Sequence, residues 1–231
     1  MLATVHAVDA KPWSSVGTTM RRIGRAQVPG MRWGTTALAV PLAAGPLMPL
    51  RRNVLIAFWD TEEAVDSFLA DHRLGQRFTG GFEARLRPLR AYGSWPGFPT
   101  DVSKKRRVEH DGPVVVVTMS ALRVSQLGRF MRTSKPAERV AVEDPGMLWG
   151  TAAVRLPFAA TVSIWQDSDA VQRYAYGKAH PEHPHAIKEQ GRRSFNHGSL
   201  FARYAPTRLS GSLSGGNPLE ATRLPDIATA S

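Results

Sequence analysis

Apolar residues along this chain recur with two periods, and the two periods predict strands and helices in alternation. Short apolar runs bounded by polar or turn residues favour strands, whereas apolar residues three or four positions apart favour helices. In the first half of the chain, the apolar runs predict strands at 2–8, 33–40, 53–59 and 82–92. Val16, Met20 and Ile23 share one face of a predicted helix, and Thr61 is placed to cap a second. The predicted order is strand, helix, strand, strand, helix, strand.

The second half of the chain follows the same order. Its apolar runs predict strands at 114–119, 149–156, 159–165 and 200–204. An apolar stripe from Val124 to Met131 predicts one helix, and Asp167 or Ser168 is placed to cap another. A unit of this order is ferredoxin-like, with helices that cover one face of an antiparallel sheet. The predicted fold class is therefore α+β.

One motif occurs twice. The sequence Pro-Gly-Met-Arg-Trp-Gly-Thr at 29–35 returns as Pro-Gly-Met-Leu-Trp-Gly-Thr at 145–151, 116 residues later. A repeat of this length is typical of duplicated domains. We therefore expect two tandem ferredoxin-like repeats packed as a fused dimeric α/β barrel, with the two sheets face to face or curled into a barrel-like pair. Ten extra residues around 42–51 predict a longer loop in the first copy. Trp33 and Trp149 are interpreted as core anchors in preference to redox or substrate contacts.

The expected division of the chain has four parts. Residues 1–96 form the first repeat, 97–112 a basic linker, 113–209 the second repeat and 210–231 a disordered tail. The linker contains Lys104-Lys105-Arg106-Arg107, which indicates a solvated segment or, alternatively, a docking patch for phosphate or an acidic partner.

The composition excludes several kinds of metal and cofactor site, mainly because cysteine is absent. The 231 residues include no cysteine, which excludes disulfides, cysteine zinc sites, iron–sulfur clusters and thiolate-ligated haem. No apolar stretch is long enough for a membrane helix and no leader pattern is evident, so a cytoplasmic location is expected. The net charge of +11 favours acidic partners, among them an anionic membrane surface, an acidic electron-transfer protein and nucleic acid.

The chemically suggestive residues lie late in the chain. His180, His183 and His185 are three of seven histidines, and they have only His72 as a loose counterpart in the first half. Imidazole can ligate haem iron or a divalent metal, although such a cluster is equally typical of an exposed polar turn. Arg203, which corresponds to an arginine of the first repeat, is interpreted as a strand-edge charge or as a contact to a cofactor carboxylate. P-loop, Rossmann and nucleophile-elbow motifs are absent from the sequence.

Several stretches together resemble one known family, the spheroidene monooxygenases, also called acyclic carotenoid 2-ketolases. The resemblance is most specific in the second half and extends to the middle of the chain. It is carried by Ala160–Ser168, Tyr174–Gly177, His183–Ile187 and Leu200–Tyr204, and by Leu89–Trp95 and Pro113–Arg132.

This resemblance implies a haem-dependent monooxygenase, an oxidoreductase that uses O2 and an external reductant to oxidise an apolar substrate. The expected cofactor is haem b, the expected electron donor is an acidic ferredoxin-like protein, and the substrate is carotenoid-like or another secondary metabolite. The family's histidine aligns best with His183, then with His180 and then with His185. We expect these three residues and Arg203 to bind the cofactor, with His183 as the iron ligand. Peripheral membrane contact is compatible with an apolar substrate, a nucleic-acid partner is not expected, and the oligomeric state is left open.

The chain departs from the family at one stretch. Family members tend to have Trp-Phe and an acidic pair where this sequence has Ser194-Phe195-Asn196-His197-Gly198-Ser199. This departure concerns the substrate more than the fold. Two alternative functions remain: a cofactor-free monooxygenase of the same architecture, and a non-enzymatic protein that binds a small molecule.

Overall fold

Eight antiparallel strands close into one barrel, with the helices packed outside it. A computed structural model describes residues 1–11, 17–19, 23, 28–42, 51–107, 109–176 and 195–213. The strands are β1 (Leu2–Asp9), β2 (Met31–Pro41), β3 (Arg52–Trp59), β4 (Phe82–Gly93), β5 (Val114–Leu122), β6 (Met147–Arg155), β7 (Phe158–Trp165) and β8 (Asn196–Ser210). The helices are α1 (Glu62–Asp71), α2 (Leu127–Glu143) and α3 (Ser168–Tyr176), with short 3-10 turns at Gly75–Arg77 and Val124–Gln126. The predicted α+β class is confirmed.

Each half of the chain contributes four neighbouring strands in the same order. Around the barrel the first half reads β4-β1-β3-β2 and the second reads β8-β5-β7-β6. One seam joins β4 to β8 over nearly the whole of β4, and the other joins the ends of β2 and β6 through Leu38–Pro41 and Thr151–Val154. The two sheets are therefore continuous, as in the barrel-like alternative, and no sheet edge is left unpaired among these strands.

Alternation along the strands separates the interior of the barrel from the surface beneath the helices. On β3, Val54, Ile56 and Phe58 belong to the interior cluster, whereas Leu55 and Trp59 pack outward with residues of α1. Burial on both faces explains why β3 has a nearly continuous apolar sequence. Thr61 caps α1 as predicted, since its Oγ1 accepts a hydrogen bond from the backbone N–H of Ala64.

The two copies of the repeated motif adopt the same local structure. A β-bulge falls between Met31 and Trp33 in the first copy and between Met147 and Trp149 in the second. Both tryptophans pack against the interior cluster, and the ring centroid of Trp33 lies 5.4 Å from that of Phe58. The repeated tryptophans are therefore core anchors.

The segment between the halves is more than a solvated linker. Phe98 is buried in the interior cluster, and the backbone N–H of Ala91 donates to the carbonyl of Ser103 over 2.9 Å. Its basic portion, 104–107, is exposed throughout. At the other end of the second half, β8 reaches Ser210 and Leu213 is buried against the same interior cluster.

Some predicted features lie outside the described residues. They include most of the helix around Val16–Ile23, of which 17–19 are helical, the loop at 43–50, and residues 214–231. Within the described part of the chain, no helix combines the length and hydropathy that crossing a bilayer requires.

Candidate functional site

The outer face of the second half carries a cavity of about 210 Å³. This outer face consists of the outward side of β4, β8 and β5, beneath α2 and α3. The cavity lies between the strands and α2, and Tyr92 stands exposed at its rim. Its main contributors are Thr118 and Ser120 on β5, Phe201 on β8, Phe130 on α2, and Phe195 and Asn196 before and at the start of β8.

The cavity wall is mostly apolar, and two of its hydroxyl groups are committed to neighbouring backbone. On α2, the hydroxyls of Thr133 and Ser134 donate to helix carbonyls one turn back, over 2.9 and 2.8 Å. Phe195 packs against Phe130, with ring centroids 6.0 Å apart, and beneath the guanidinium of Arg129. The wall suits an apolar ligand held by a few polar contacts.

A row of arginines lies beside the cavity on the same outer face. Tyr92 pairs with Phe201 across β4 and β8, and both line the cavity. The next outward row along the same strands pairs Arg90 with Arg203, whose side chains are 5% and 0% exposed. Outward residues two positions apart lie side by side on one face of a strand. The arginine row therefore borders the cavity directly.

The two arginines differ in their partners. Arg90 Nη1 donates to the hydroxyl of Tyr176, at the end of α3, and its Nε donates to the carbonyl of Lys104, each over 3.4 Å. In contrast, Nε, Nη1 and Nη2 of Arg203 have no hydrogen-bond partner among the described residues. Burial, together with the charge of Arg90, lowers the pKa of Arg203, and Tyr176 opposes the shift. Arg203 is thus not a strand-edge charge, since its guanidinium is fully enclosed.

The corresponding arginine of the first half, Arg85, has a full set of partners. Its Nε donates to Glu83 over 2.6 Å, its Nη1 donates to Glu62 over 3.1 Å, and its Nη2 donates to Asp66. Burial opposes the charge on Arg85, but the hydrogen bonds that it donates to Asp66 and Glu83 outweigh burial and raise its pKa. Equivalent arginines of the two halves therefore differ in their partners: Arg85 is paired with acidic side chains, and Arg203 has no partner among the described residues.

The three candidate histidines, His180, His183 and His185, lie in 177–194, outside the described residues. The proposed iron ligand therefore stays a prediction. The described ends of this segment are informative, however, because Tyr176 contacts Arg90 and Phe195 lines the cavity. Among the described residues, no group of three or more His, Asp or Glu side chains is placed to hold a metal ion.

Sequence reasoning did not identify Arg90, Tyr176 or the cavity. Alternation alone puts Arg90 and Tyr92 on one face of a strand. The cross-strand register that brings Arg90 against Arg203 has no local signal, because it joins strands from opposite halves of the chain.

A second buried polar group lies in the first half. His6 on β1 is 1% exposed, and its Nε2 has no hydrogen-bond partner among the described residues. Burial lowers the pKa of His6 to about 4, with Glu83 opposing and Arg85 adding to the shift. At neutral pH the buried imidazole is therefore uncharged.

The closed barrel with outer helices defines an architecture that is shared with known proteins. No protein-family model matches the chain. Among solved structures, the aldoxime dehydratase OxdRE, crystallised in complex with butyraldoxime, matches 95% of this chain and 85% of its own, with a TM-score of 0.54 and 9% sequence identity. At that identity the match supports a shared α+β barrel architecture and nothing more.

Sequence comparison then identifies relatives of the chain. The chain is 30% identical to the spheroidene monooxygenase of Rubrivivax gelatinosus over 166 residues, which are 69% of this chain and 62% of that protein. It is 28% identical to the spheroidene monooxygenase of Rhodobacter capsulatus over 176 residues, which are 71% and 70% of the two chains. The chain thus spans less than two thirds of the first relative. The resemblance indicated by the sequence motifs is confirmed, and the chain is a relative of the spheroidene monooxygenases.

Proposed function

We propose that this protein is a haem-dependent monooxygenase that binds haem b on the outer face of its second half. The carrying observation is the arrangement of that face. An apolar cavity lies beside a buried arginine that has no hydrogen-bond partner among the described residues, and the segment with three histidines begins and ends at them. The relation to proteins named spheroidene monooxygenase supports the reaction class.

The outer face fits haem in charge and polarity. Haem is a planar apolar ring with two carboxylates, and the buried guanidinium of Arg203 suits a carboxylate. The cavity of about 210 Å³ is smaller than the roughly 300–1,000 Å³ of usual ligand pockets, so a porphyrin would extend past it along the face. Without cysteine, the iron would need a histidine or another non-thiolate ligand, and we assign this role to His183 first, then to His180 and His185.

The bound haem would supply the iron at which O2 is activated. The residues of this chain would bind and enclose it. Phe130, Phe195 and Phe201 would shield the bound group from water. Ser120 accepts a hydrogen bond from the Asn196 amide over 3.4 Å, which orients one polar edge of the wall. Arg203 carries positive charge toward the cofactor.

The substrate is an apolar molecule, carotenoid-like or another secondary metabolite. The stretch 194–199, where this sequence departs from the family, includes Phe195, Asn196 and Ser199 of the cavity wall. Because the departure falls on lining residues, we propose that the substrate differs from that of the family relatives while the barrel is kept.

The electron donor is proposed to be an acidic, ferredoxin-like protein. The net charge of +11 attracts such a partner, and the exposed basic segment 104–107 touches the site, since the Arg106 guanidinium lies 5.3 Å from the ring centroid of Tyr176. The same charge supports peripheral contact with an anionic membrane, from a cytoplasmic location.

We also propose that the two halves are diverged tandem ferredoxin-like repeats, with the boundaries 1–96 and 113–209, fused into a dimeric α/β barrel. The matching strand orders and the matching bulges support this origin.

The modest volume of the cavity favours one alternative, a cofactor-free monooxygenase that acts on a small substrate. In that case the histidines and the arginine row would serve other purposes.

Haem uptake tests the proposal. Titration of the purified protein with haem should give a Soret band, and His183→Ala should abolish or shift it. His197→Ala is a matched control, because His197 is exposed on β8 outside the candidate segment. If His183→Ala has no effect while His180→Ala or His185→Ala does, the ligand moves but the function stands. A wild-type protein that takes up no haem contradicts the proposal, and O2 consumption with candidate substrates then identifies the cofactor-free enzyme.

A further inference from the structure

We infer that Arg90 and Arg203 form a binding site for the carboxylate groups of a ligand, and that the site is open to a ligand because the acidic residues that neutralise Arg85 in the first half have uncharged counterparts in the second. The identification of the ligand as haem rests on the proposed function. The site itself rests on the contacts of the described residues.

The same cross-strand arginine pair occurs in both halves. Arg85 on β4 pairs with Arg208 on β8, and Arg203 on β8 pairs with Arg90 on β4. In the alignment of the two repeats, Arg85 corresponds to Arg203 and Arg90 to Arg208. The seam between β4 and β8 therefore carries two equivalent pairs of outward-facing arginines.

Within the part of the chain that the structure describes, the acidic partners occur in the first half alone. Glu62, Asp66 and Glu83 surround Arg85. The repeat alignment puts uncharged residues at the corresponding positions of the second half: Ser168, Gln172 and Phe201. The acidic residues that compensate Arg85 thus have uncharged counterparts around Arg203, although the arginine itself is repeated.

A buried guanidinium without an anion is costly to keep. Charged groups that leave water are found paired or bound to a ligand, because their desolvation is otherwise uncompensated. Arg203 is fully buried, its three nitrogens have no partner among the described residues, and the nearby charged group that acts on it is another cation, Arg90. An anion beside the pair would compensate both charges.

The chemistry of this anion follows from the surroundings. The arginine row borders the apolar cavity, so the ligand combines an apolar body with a carboxylate at its edge. A guanidinium binds carboxylate through parallel N–H donors, and the Tyr176 hydroxyl already holds Arg90 in place. Haem, with its two carboxylates, is a ligand of this kind.

An acidic side chain of the chain itself is the alternative to a ligand carboxylate beside Arg203. Glu182 and Glu189 lie in 177–194, outside the described residues. If one of them pairs with Arg203 in the native protein, no ligand carboxylate is needed. The experiment must therefore separate the two sources.

The first measurement is the unfolding temperature of the ligand-free full chain. Arg203→Met should raise the unfolding temperature or leave it unchanged, because it removes an uncompensated buried charge. Arg85→Met, the matched control, should lower it by about 3 °C or more, because it breaks a compensated cluster. Added succinate, at an ionic strength held constant with chloride, should stabilise the wild type and Arg208→Met but not Arg203→Met or Arg90→Met.

The second measurement compares haem with its dimethyl ester, in which both carboxylates are masked. The wild type should bind haem at least about tenfold more tightly than the ester, and Arg203→Met should lose that preference. Equal affinity of the wild type for the two forms overturns the inference but leaves the proposed function intact. If neither form binds, the proposed function fails, and the succinate measurement alone decides the inference.

A third result would also overturn the inference. In this result Arg203→Met lowers the unfolding temperature, and Glu182→Gln or Glu189→Gln lowers it by the same amount. If the glutamate substitution combined with Arg203→Met then lowers it no further, the chain's own carboxylate occupies the site.

Discussion

His6 shows how strongly this barrel resists a buried charge. The His6 side chain lies on the outward face of β1, at the position that corresponds to Thr118 in the second half. Its pKa of about 4 lies below the value of about 6.5 for an exposed histidine. The unfolded chain therefore binds more protons than the folded chain between these two pH values.

We predict that the protein loses stability through His6 as the pH falls from 6.5 to 4. The contribution is present in full above pH 6.5, and its loss at pH 4 and below amounts to roughly 3 kcal/mol. Denaturant unfolding at several pH values should show a flatter pH dependence for His6→Gln than for the wild type over this window. Exposed His197→Gln should follow the wild type. A wild-type slope in His6→Gln would contradict the assignment.

Residue identities predicted part of the candidate site. Arg203 was identified because it recurs at the place of Arg85, and the loss of Glu62, Asp66 and Glu83 can be read from the same alignment. Whether Arg203 is buried cannot be read from it, because burial depends on the packing of α3 and on the seam with β4. The interpretation as a strand-edge charge failed for this reason.

At the scale of elements, the repeated Pro-Gly-Met motif sets the distance between a strand and the following helix. A Cβ added at Gly30 would lie 2.5 Å from the Cβ of Ala64 on α1, and one added at Gly146 would lie 2.5 Å from the Cβ of Ala170 on α3. Gly30 also has φ of 73°, in the left-handed region that favours glycine. The motif is thus explained by close helix packing.

We predict that Gly146→Ala and Gly30→Ala each destabilise the protein by about 1–3 kcal/mol. Adding Ala170→Gly should recover much of the loss in Gly146→Ala, because it removes the clashing methyl. Adding Ala64→Gly should recover less of the loss in Gly30→Ala, because the strained backbone conformation remains. Double-mutant cycles in denaturant measure both couplings. Equal recovery in the two pairs would mean that φ at Gly30 contributes nothing.

Local periodicity predicted the strands and the described helices because each carries its own signal. The run from Asn53 to Trp59 and the cap at Thr61 are examples, and both are confirmed. The ends were less accurate: β8 begins at Asn196 and extends to Ser210, beyond the predicted 200–204. The added residues after Tyr204 pair with β4 of the other half, whereas 196–199 pair with β5. A partner as distant as β4 leaves no trace in local pattern.

At the scale of the whole molecule, closure of the barrel is the feature that sequence left open. The seam between β2 and β6 joins Leu38–Pro41 to Thr151–Val154. Here the Thr151 hydroxyl donates a hydrogen bond to the carbonyl of Val40, 111 residues earlier in the chain. Periodicity predicts neither the partner nor the register of such strands. Closure matters for function because it fixes β4 beside β8, and with them the arginine row.

The positive charge of the molecule should act through the basic segment at 104–107. We predict that Lys105→Glu with Arg107→Glu slows association with an acidic ferredoxin by roughly tenfold at low salt, and that added salt removes the difference. Arg51→Glu with Arg73→Glu changes the net charge equally at exposed positions of the first half. Association kinetics at two salt concentrations measure the effect. Equal slowing in the two double variants would assign it to net charge alone.

The central claim, a single haem site on the outer face of the second half, is tested most directly by the stoichiometry of haem binding. Ser120→Phe fills part of the cavity, and Val8→Phe places the same ring at the corresponding position of the first half. In titrations followed by the Soret band, the wild type and Val8→Phe should each bind one haem per chain, whereas Ser120→Phe should bind haem at least about tenfold more weakly while remaining folded. No haem binding, two haems per chain, or equal weakening in both variants would contradict the account.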